Sequence, residues 1–146
     1  MASHISPRGR TSRSFFDTNI LVYSDDTRET AKQARAIELV LEHIRLQTGV
    51  VSIQVLQEYF VTARRKLNLD AGSVKQRVEF FARFDVAEPN VNDILAAIDL
   101  HRLYNFSLWD TLILRCAKQA GCSVLLTEDM QHGKVIDGVR IVNPFI

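Results

Sequence analysis

Ser14-Phe15-Phe16-Asp17-Thr18-Asn19-Ile20-Leu21 reads as a short strand that ends in a carboxylate and runs into a helical turn. Ile20, Leu21 and Tyr23 pack that turn down, and Asp25, Asp26 and Thr27 offer helix-capping side chains after it. Ala34, Ile37, Leu41 and Ile44 follow at helical spacing and predict an amphipathic helix over residues 28–47. Gly49 stops that helix, and Val50-Val51 begins a second strand. Ser52 is the expected N-cap of a helix with the stripe Ile53, Leu56, Phe60, Ala63 and Leu67, and Asp70 starts another carrying Val74, Val78 and Phe81. No strand fits between these two, so they form a helical hairpin. Val86 lies in a third strand closed by Pro89; Asn92 caps a helix with Ile94, Ala97 and Ile98 that ends at Asn105. Residues 107–120 are almost wholly apolar and predict a central helix, ended by Gly121. A buried strand over 123–127, a polar loop over 128–138 and a last strand over 139–142 complete the chain. Strands alternating with helices predict an α/β fold with a parallel sheet covered on both faces, and right-handed crossovers restrict its topology.

With 146 residues, the chain has the length of one domain and enough apolar content, 47%, to bury a core. We expect residues 1–13, which hold three arginines, to be a flexible basic tail and residues 14–146 to form the domain. The net charge of +1 means that any nucleic-acid affinity must come from a local patch. Cys116 and Cys122 form no C-x-x-C pair and read as buried, reduced thiols, which suits a cytoplasmic protein. No apolar run approaches the roughly 18 residues of a membrane span, and no secretory apolar region opens the chain.

Four carboxylates sit at or just past the ends of apolar runs: Asp17, Glu58, Asp110 and Asp129. A parallel sheet gathers ligands beyond the carboxyl ends of its strands, where Asp17 and Asp129 fall. Like charges about 4 Å apart cost roughly 4 kcal/mol per pair at an effective dielectric near 20, so a gathering of acids calls for a cation. Oxygen-only clusters suit hard cations such as Mg²⁺ or Mn²⁺. Each residue also has a plainer reading. Asp17 reads as a helix cap at a strand–helix junction, a role compatible with ligation. Asp110 reads as the closing residue of a capping box opened by Ser107, yet it falls on the side of Ile113, Leu114 and Ala117, where a charge needs a partner. By pattern alone Glu58 is a solvated glutamate near Gln54 and Arg65, and Asp129 competes with Glu128 for the inward position.

Other motifs exclude more than they suggest. His4, His43, His101 and His132 show no zinc spacing; His101 reads as a packed histidine, and His132 as a surface one. Neither a phosphate loop nor a G-x-G-x-x-G nor a G-x-S-x-G elbow occurs. Arg64, Arg65 and Lys66 form a basic run at a helix end, a solvated terminus unless the acids act on nucleic acid, in which case they become RNA contacts.

The opening Phe16-Asp17-Thr18-Asn19-Ile20-Leu21, with Gln57-Glu58, Trp109-Asp110-Thr111-Leu112-Ile113 and Thr127-Glu128-Asp129, resembles the motif series of PIN domains, the fold of VapC-type toxin ribonucleases. The resemblance runs from about residue 14 to 146. It implies a three-layer α/β/α sandwich with a short central parallel sheet and a helical hairpin. It also implies a Mg²⁺- or Mn²⁺-dependent endoribonuclease with Asp17, Glu58, Asp110 and Asp129 as the acidic site and Asn19 and Thr127 as supporting polar groups. A homodimer is implied too, with a small antitoxin docked on the hairpin between Ile53 and Phe84. The chemistry expected is in-line hydrolysis of an RNA phosphodiester, with a metal-activated water and no side-chain nucleophile. A haloacid-dehalogenase-type phosphatase would need an aspartate where Asn19 stands. A receiver-like domain would need an acidic pair directly after the first strand. A catalytically silent RNA-binding module is the remaining alternative.

Overall fold

A computed structural model describes residues 12–146 of the chain. The expected basic tail lies outside the described residues as far as residue 11. Arg13, at its end, is anchored: its guanidinium pairs with Asp85 at 2.7 Å and donates from Nε to the Ala120 carbonyl at 2.9 Å.

The strands are β1 (Ser14–Phe16), β2 (Gly49–Ser52), β3 (Asp85–Ala87), β4 (Val124–Leu126), β5 (Val135–Ile136) and β6 (Val139–Val142). They form one sheet in the order β3-β2-β1-β4-β6-β5, parallel throughout except for the β5–β6 pair. Between them run α1 (Thr18–Ser24), α2 (Thr30–Leu46), α3 (Ile53–Lys66), α4 (Ala71–Phe81), α5 (Val91–Tyr104) and α6 (Leu108–Gln119). The crossovers β1→β2 and β2→β3 step one way across the sheet, and β3→β4 steps back the other way. Right-handed connections therefore put α1–α4 on one face and α5–α6 on the opposite face. The packing agrees: α1 lies against α2 and α3, α3 against α4, and α5 against α6. The result is the three-layer α/β/α arrangement. β1, β2 and β4 are wholly buried, as strands of a sheet covered on both sides must be.

Local sequence explains most boundaries. Ser52, Asp70 and Ser107 accept from the backbone N–H groups of Val55, Ser73 and Asp110, satisfying orphan donors at three helix starts. Asn105 closes α5 in the left-handed conformation, φ 59°. In α6, Thr111, Leu112, Ile113, Leu114, Cys116 and Ala117 are all buried, as a central helix requires.

Several expectations are corrected. The buried face of α2 is Ala36, Leu39, Val40 and His43, whereas Ala34, Ile37 and Leu41 face water. In α3 the inward residues are Val55, Leu56, Tyr59 and Ala63, with Ile53 and Phe60 partly exposed. In α5 only Asp93 and Ala97 are buried, and the cap is Asn90, whose side chain forms a capping box with Asp93; Asn92 is not the cap. Asp25 and Asp26 do not cap α2. Asp25 accepts from Tyr59 and Arg77, and Asp26 binds the Arg28 side chain and backbone. His101 is exposed rather than packed; its ring nitrogen meets the Phe106 carbonyl. The segment after β4 is not all loop, because β5 lies within it.

Gly49 does not stop α2, which ends at Gln47 in the left-handed conformation. Its role is close approach. A Cβ at Gly49 would stand 2.3 Å from Phe84 Cε1, and Phe84 is itself buried and stacked on Phe16 at 4.9 Å. Gly49→Ala is therefore expected to lower stability by about 1–3 kcal/mol through overpacking, read as a lower denaturant midpoint at unchanged m. An unchanged midpoint would mean that the Phe84 ring yields without cost.

Candidate active site

β1 and β4 are neighbours whose chains leave the sheet in different directions, which opens a crevice beyond their carboxyl ends. Asp17 is the residue directly after β1. Its backbone N–H still pairs with the Leu126 carbonyl at 3.0 Å, so the strand ladder fixes its position. As N-cap of α1, its carboxylate accepts from the Thr18 N–H at 2.7 Å. The second carboxylate oxygen accepts from the Thr127 hydroxyl at 2.8 Å. That hydroxyl in turn accepts from Asn19 Nδ2 at 3.2 Å and from the Asp129 N–H at 3.1 Å. Asn19 Nδ2 also reaches Asp129 Oδ2 at 3.0 Å. Asp17, Asn19, Thr127 and Asp129 thus form one hydrogen-bonded unit, although 110 positions separate Asp17 from Thr127 and Asn19 from Asp129.

Asp129, not Glu128, turns toward this unit. Glu128 accepts from Tyr23 Oη at 2.5 Å and from Lys32 Nζ at 3.0 Å, an arrangement that raises the Lys32 ammonium above its ordinary value. Glu58 is exposed, as its pattern predicts, yet it shares a cavity of about 220 Å³ with Asn19, Thr62, Lys66 and Asp129. Gln54 Nε2 donates to its Oε1 at 2.6 Å. Asp110 sits half-buried in the first turn of α6, with its N–H on the Ser107 hydroxyl at 3.1 Å.

Electrostatics links the four acids. Burial pushes the Asp17 carboxyl up to about 6; the hydrogen bonds from Thr127 and Thr18 oppose this, and the charges of Asp129 and Glu58 add to it. Burial also raises Asp110, opposed by Ser107 and reinforced by Asp129. Of the basic run, only Lys66 lines the acidic cavity; Arg64 donates to the Leu69 carbonyl, and Arg65 is exposed outside that lining. Both thiols are buried, and burial lifts Cys116 to about 11 and Cys122 to about 12, which disfavours the thiolate.

Among the described residues, no three His, Cys, Asp or Glu side chains stand close enough to grip an ion by themselves. The donor chemistry nevertheless fits a hard cation that takes one or two carboxylates directly and completes its shell with water. One further observation agrees. Thr18 Oγ1, in the wall of the same cavity, is buried without a hydrogen-bond partner among the described residues, and such a group calls for a bound water or ligand oxygen. Sequence reasoning did not single out Thr18 or the Tyr23–Glu128–Lys32 arrangement, since neither has a local signature.

The Asp17 shift predicts a pH dependence in metal-free buffer. Its folded value lies above the ordinary 3.8, so the native state holds the proton more tightly than the unfolded chain does. The stabilising contribution is full below 3.8 and is lost as pH rises to about 6. The difference corresponds to roughly 3 kcal/mol. Asp17→Asn should remove this decline, measured as the wild-type-minus-variant difference in unfolding free energy across that window. Parallel profiles would show that Asp17 titrates normally.

A sequence profile of the PIN domain matches residues 14–136. Comparison with curated protein sequences gives no significant match. Among solved structures, the chain resembles a toxin–antitoxin complex from Klebsiella pneumoniae at 24% identity and TM-score 0.61, covering 90% of this chain and 97% of that one. VapC20 of Mycobacterium tuberculosis, described as a sarcin-ricin loop cleaving toxin, superposes at TM-score 0.63 with 13% identity, covering 77% and 86%. VapBC2 from Rickettsia felis, bound to a promoter DNA fragment, gives 0.61 and 19%, covering 88% and 96%. These likenesses show a shared fold, and the profile spanning most of the chain shows the family: the protein belongs to the PIN domain family.

Proposed function

We propose that the chain is a Mg²⁺- or Mn²⁺-dependent endoribonuclease acting as the toxin of a toxin–antitoxin pair, with Asp17, Glu58, Asp110 and Asp129 as its acidic site. The observation that carries this reading is the hydrogen-bonded unit of Asp17, Asn19, Thr127 and Asp129 just beyond β1 and β4 of a PIN domain, with Glu58 lining the same cavity as Asp129 and Asp110 feeling the Asp129 charge. The names of the solved structures support it, since they describe a toxin–antitoxin complex, a sarcin-ricin loop cleaving toxin and a VapBC2 bound to a promoter DNA fragment.

In this reading Asp17 and Asp110 are direct ligands, and Glu58 and Asp129 act directly or through water. These carboxylates would hold a divalent ion, which would supply a water of lowered pKa and positive charge beside the scissile phosphate. Asn19 and Thr127 lock the directions of the Asp17 and Asp129 carboxylates, so that little reorganisation is left for the reaction. Lys66 meets a phosphate entering the cavity, while Arg64 and Arg65 attract the RNA backbone from outside it. The antitoxin occupies the apolar groove of about 560 Å³ between α3 and α4, lined by Ile53, Leu56, Phe60 and Val78. A second copy of the chain covers α5, where Val91, Ile94, Leu95 and Ile98 form an exposed apolar stripe at helical spacing. The buried, reduced thiols suit action in the cytoplasm. No helix among the described residues is long and apolar enough to cross a membrane.

Asp110→Asn should reduce RNA cleavage by at least about 10²-fold and leave the circular dichroism spectrum unchanged, and EDTA should abolish wild-type cleavage. Mn²⁺ should raise the wild-type melting temperature, because a ligand of the native state alone stabilises it, and should do so less in Asp110→Asn. A purified variant cutting RNA at the wild-type rate would remove the acidic site from the mechanism. RNA binding without cleavage would instead mark a silent RNA-binding module.

A further inference from the structure

Trp109, the one tryptophan of the chain, immediately precedes Asp110 and is 62% exposed. It faces Gln54, Gln57 and Glu58 across an open cavity of about 390 Å³. Glu58 is the shared wall between this cavity and the one that holds Asn19, Lys66 and Asp129. The two compartments therefore flank one carboxylate, and their chemistry differs. The acidic compartment contains an ammonium. The Trp109 compartment is lined by no cation, but it offers an indole face and two primary amides. Gln54 uses its Nε2 on Glu58 and keeps its carbonyl oxygen available; the Gln57 amide has no side-chain hydrogen bond among the described residues.

We infer that Trp109, Gln54 and Gln57 form a nucleobase subsite next to the scissile phosphate, taking one unstacked base of a single-stranded RNA. This rests on the nuclease reading above and adds to it the group that is recognised. A planar, uncharged ligand rich in donors and acceptors is what an indole and two amides bind best: the ring stacks on the base face and the amides reach the base edge. A phosphate gains nothing in a compartment without a cation. An apolar protein side chain finds a better seat in the groove between α3 and α4, whose lining is Ile53, Leu56, Phe60 and Val78. A base stacked on Trp109 would carry its own phosphate toward Glu58 and Asp110, so the subsite also positions the bond to be cut.

The single tryptophan reports on its own occupancy. Asp110→Asn protein, whose cleavage should be slowed by at least about 10²-fold, is titrated with a short single-stranded RNA of mixed sequence in the presence of Mg²⁺. Binding is followed by anisotropy of a labelled RNA and by tryptophan emission under selective excitation. The expected result is saturable quenching that tracks anisotropy, and none with an abasic oligonucleotide of the same length. In the otherwise wild-type protein, Trp109→Ala should raise KM about 10-fold or more, the loss expected for one stacked base, and Trp109→Phe should restore most of it. Saturable RNA binding without quenching, or wild-type KM in Trp109→Ala, overturns the subsite and leaves the nuclease intact. Emission that shifts with protein concentration but not with RNA assigns Trp109 to contact between two copies and also overturns it. If wild-type protein neither binds nor cuts RNA, the nuclease reading fails and the subsite with it.

Discussion

Asp17 occupies a position where an ionised carboxylate is expensive, and the rest of the site is arranged around that expense. It is 6% exposed, lies next to the wholly buried Phe15 and Phe16, and feels the charges of Asp129 and Glu58. Without partners such a group would take up a proton. Three donors hold it instead: the Thr18 N–H, the Thr127 hydroxyl and, at the longer distance of 3.5 Å, Asn19 Nδ2. Thr127 is fully satisfied in the process. Its single proton goes to Asp17, while its two lone pairs receive Asn19 and the Asp129 N–H. Any residue without a hydroxyl there would leave only the longer Asn19 bridge between Asp17 and Asp129. Because β1 and β4 are directly paired, Phe16 opposite Leu126, the backbone sets the distance between these residues before any side chain is placed.

The second constraint acts on the far wall. Glu58 and Lys66 are useful only if α3 holds a fixed rotation about its axis. Tyr59, next to Glu58, is wholly buried and donates to Asp25 at 2.6 Å. Arg77 of α4 binds the same carboxylate at 2.9 Å and lies over the rings of Phe80 and Phe81. One acid at the end of α1 therefore ties α3 and α4 to the strand–helix junction that carries Asp17. Hydrogen bonds to a charged group contribute roughly 1.5–3 kcal/mol each, enough to keep the hairpin in register with the acidic cavity. In this way the Asp25–Tyr59–Arg77 contact transmits the geometry of the first turn to Glu58.

Much of this was legible in the sequence, and the failures have physical causes. Caps were readable because a single side chain decides them, as at Ser52, Asp70 and Ser107. The buried face of α2 departs from the expected one because Ile37 and Leu41 lie beside an equally regular stripe that includes His43, a polar residue held inside by Thr48. Periodicity gives a face, but not which of two adjacent faces meets the sheet. In α5 the error has the same origin, with its longest apolar stripe turned to solvent. β5 is hidden in the sequence although Asp137-Gly138, both at positive φ, carries the two-residue hairpin signature between Ile136 and Val139. A strand of two residues gives no alternation to detect. Glu58 shows a different limit. Its pattern correctly says exposed, but exposure beside other acids is a property of distance, which one helix cannot encode.

The adjacent acids Glu128 and Asp129 show how the site sets its charge. Glu128 is neutralised by Lys32 and hydrogen-bonded to Tyr23, whose ring lies under the same ammonium at 4.7 Å. It adds little field to the cavity. Asp129 has no ion pair among the described residues and adds its full charge to that of Asp17 and Asp110. Against these and Glu58, the cavity lining sets one cation, Lys66. A surplus of negative charge repels a phosphodiester while it attracts a small cation. Under the proposed function, RNA and divalent ion must therefore favour each other's binding, a coupling that is reciprocal by linkage. Lys66 sets the size of that coupling: a second ammonium in the cavity would help the phosphate enter but compete with the ion for the same carboxylates. A single lysine in the acidic cavity, beside a compartment around Trp109 that holds no cation, leaves the carboxylates to the ion and the base to the indole.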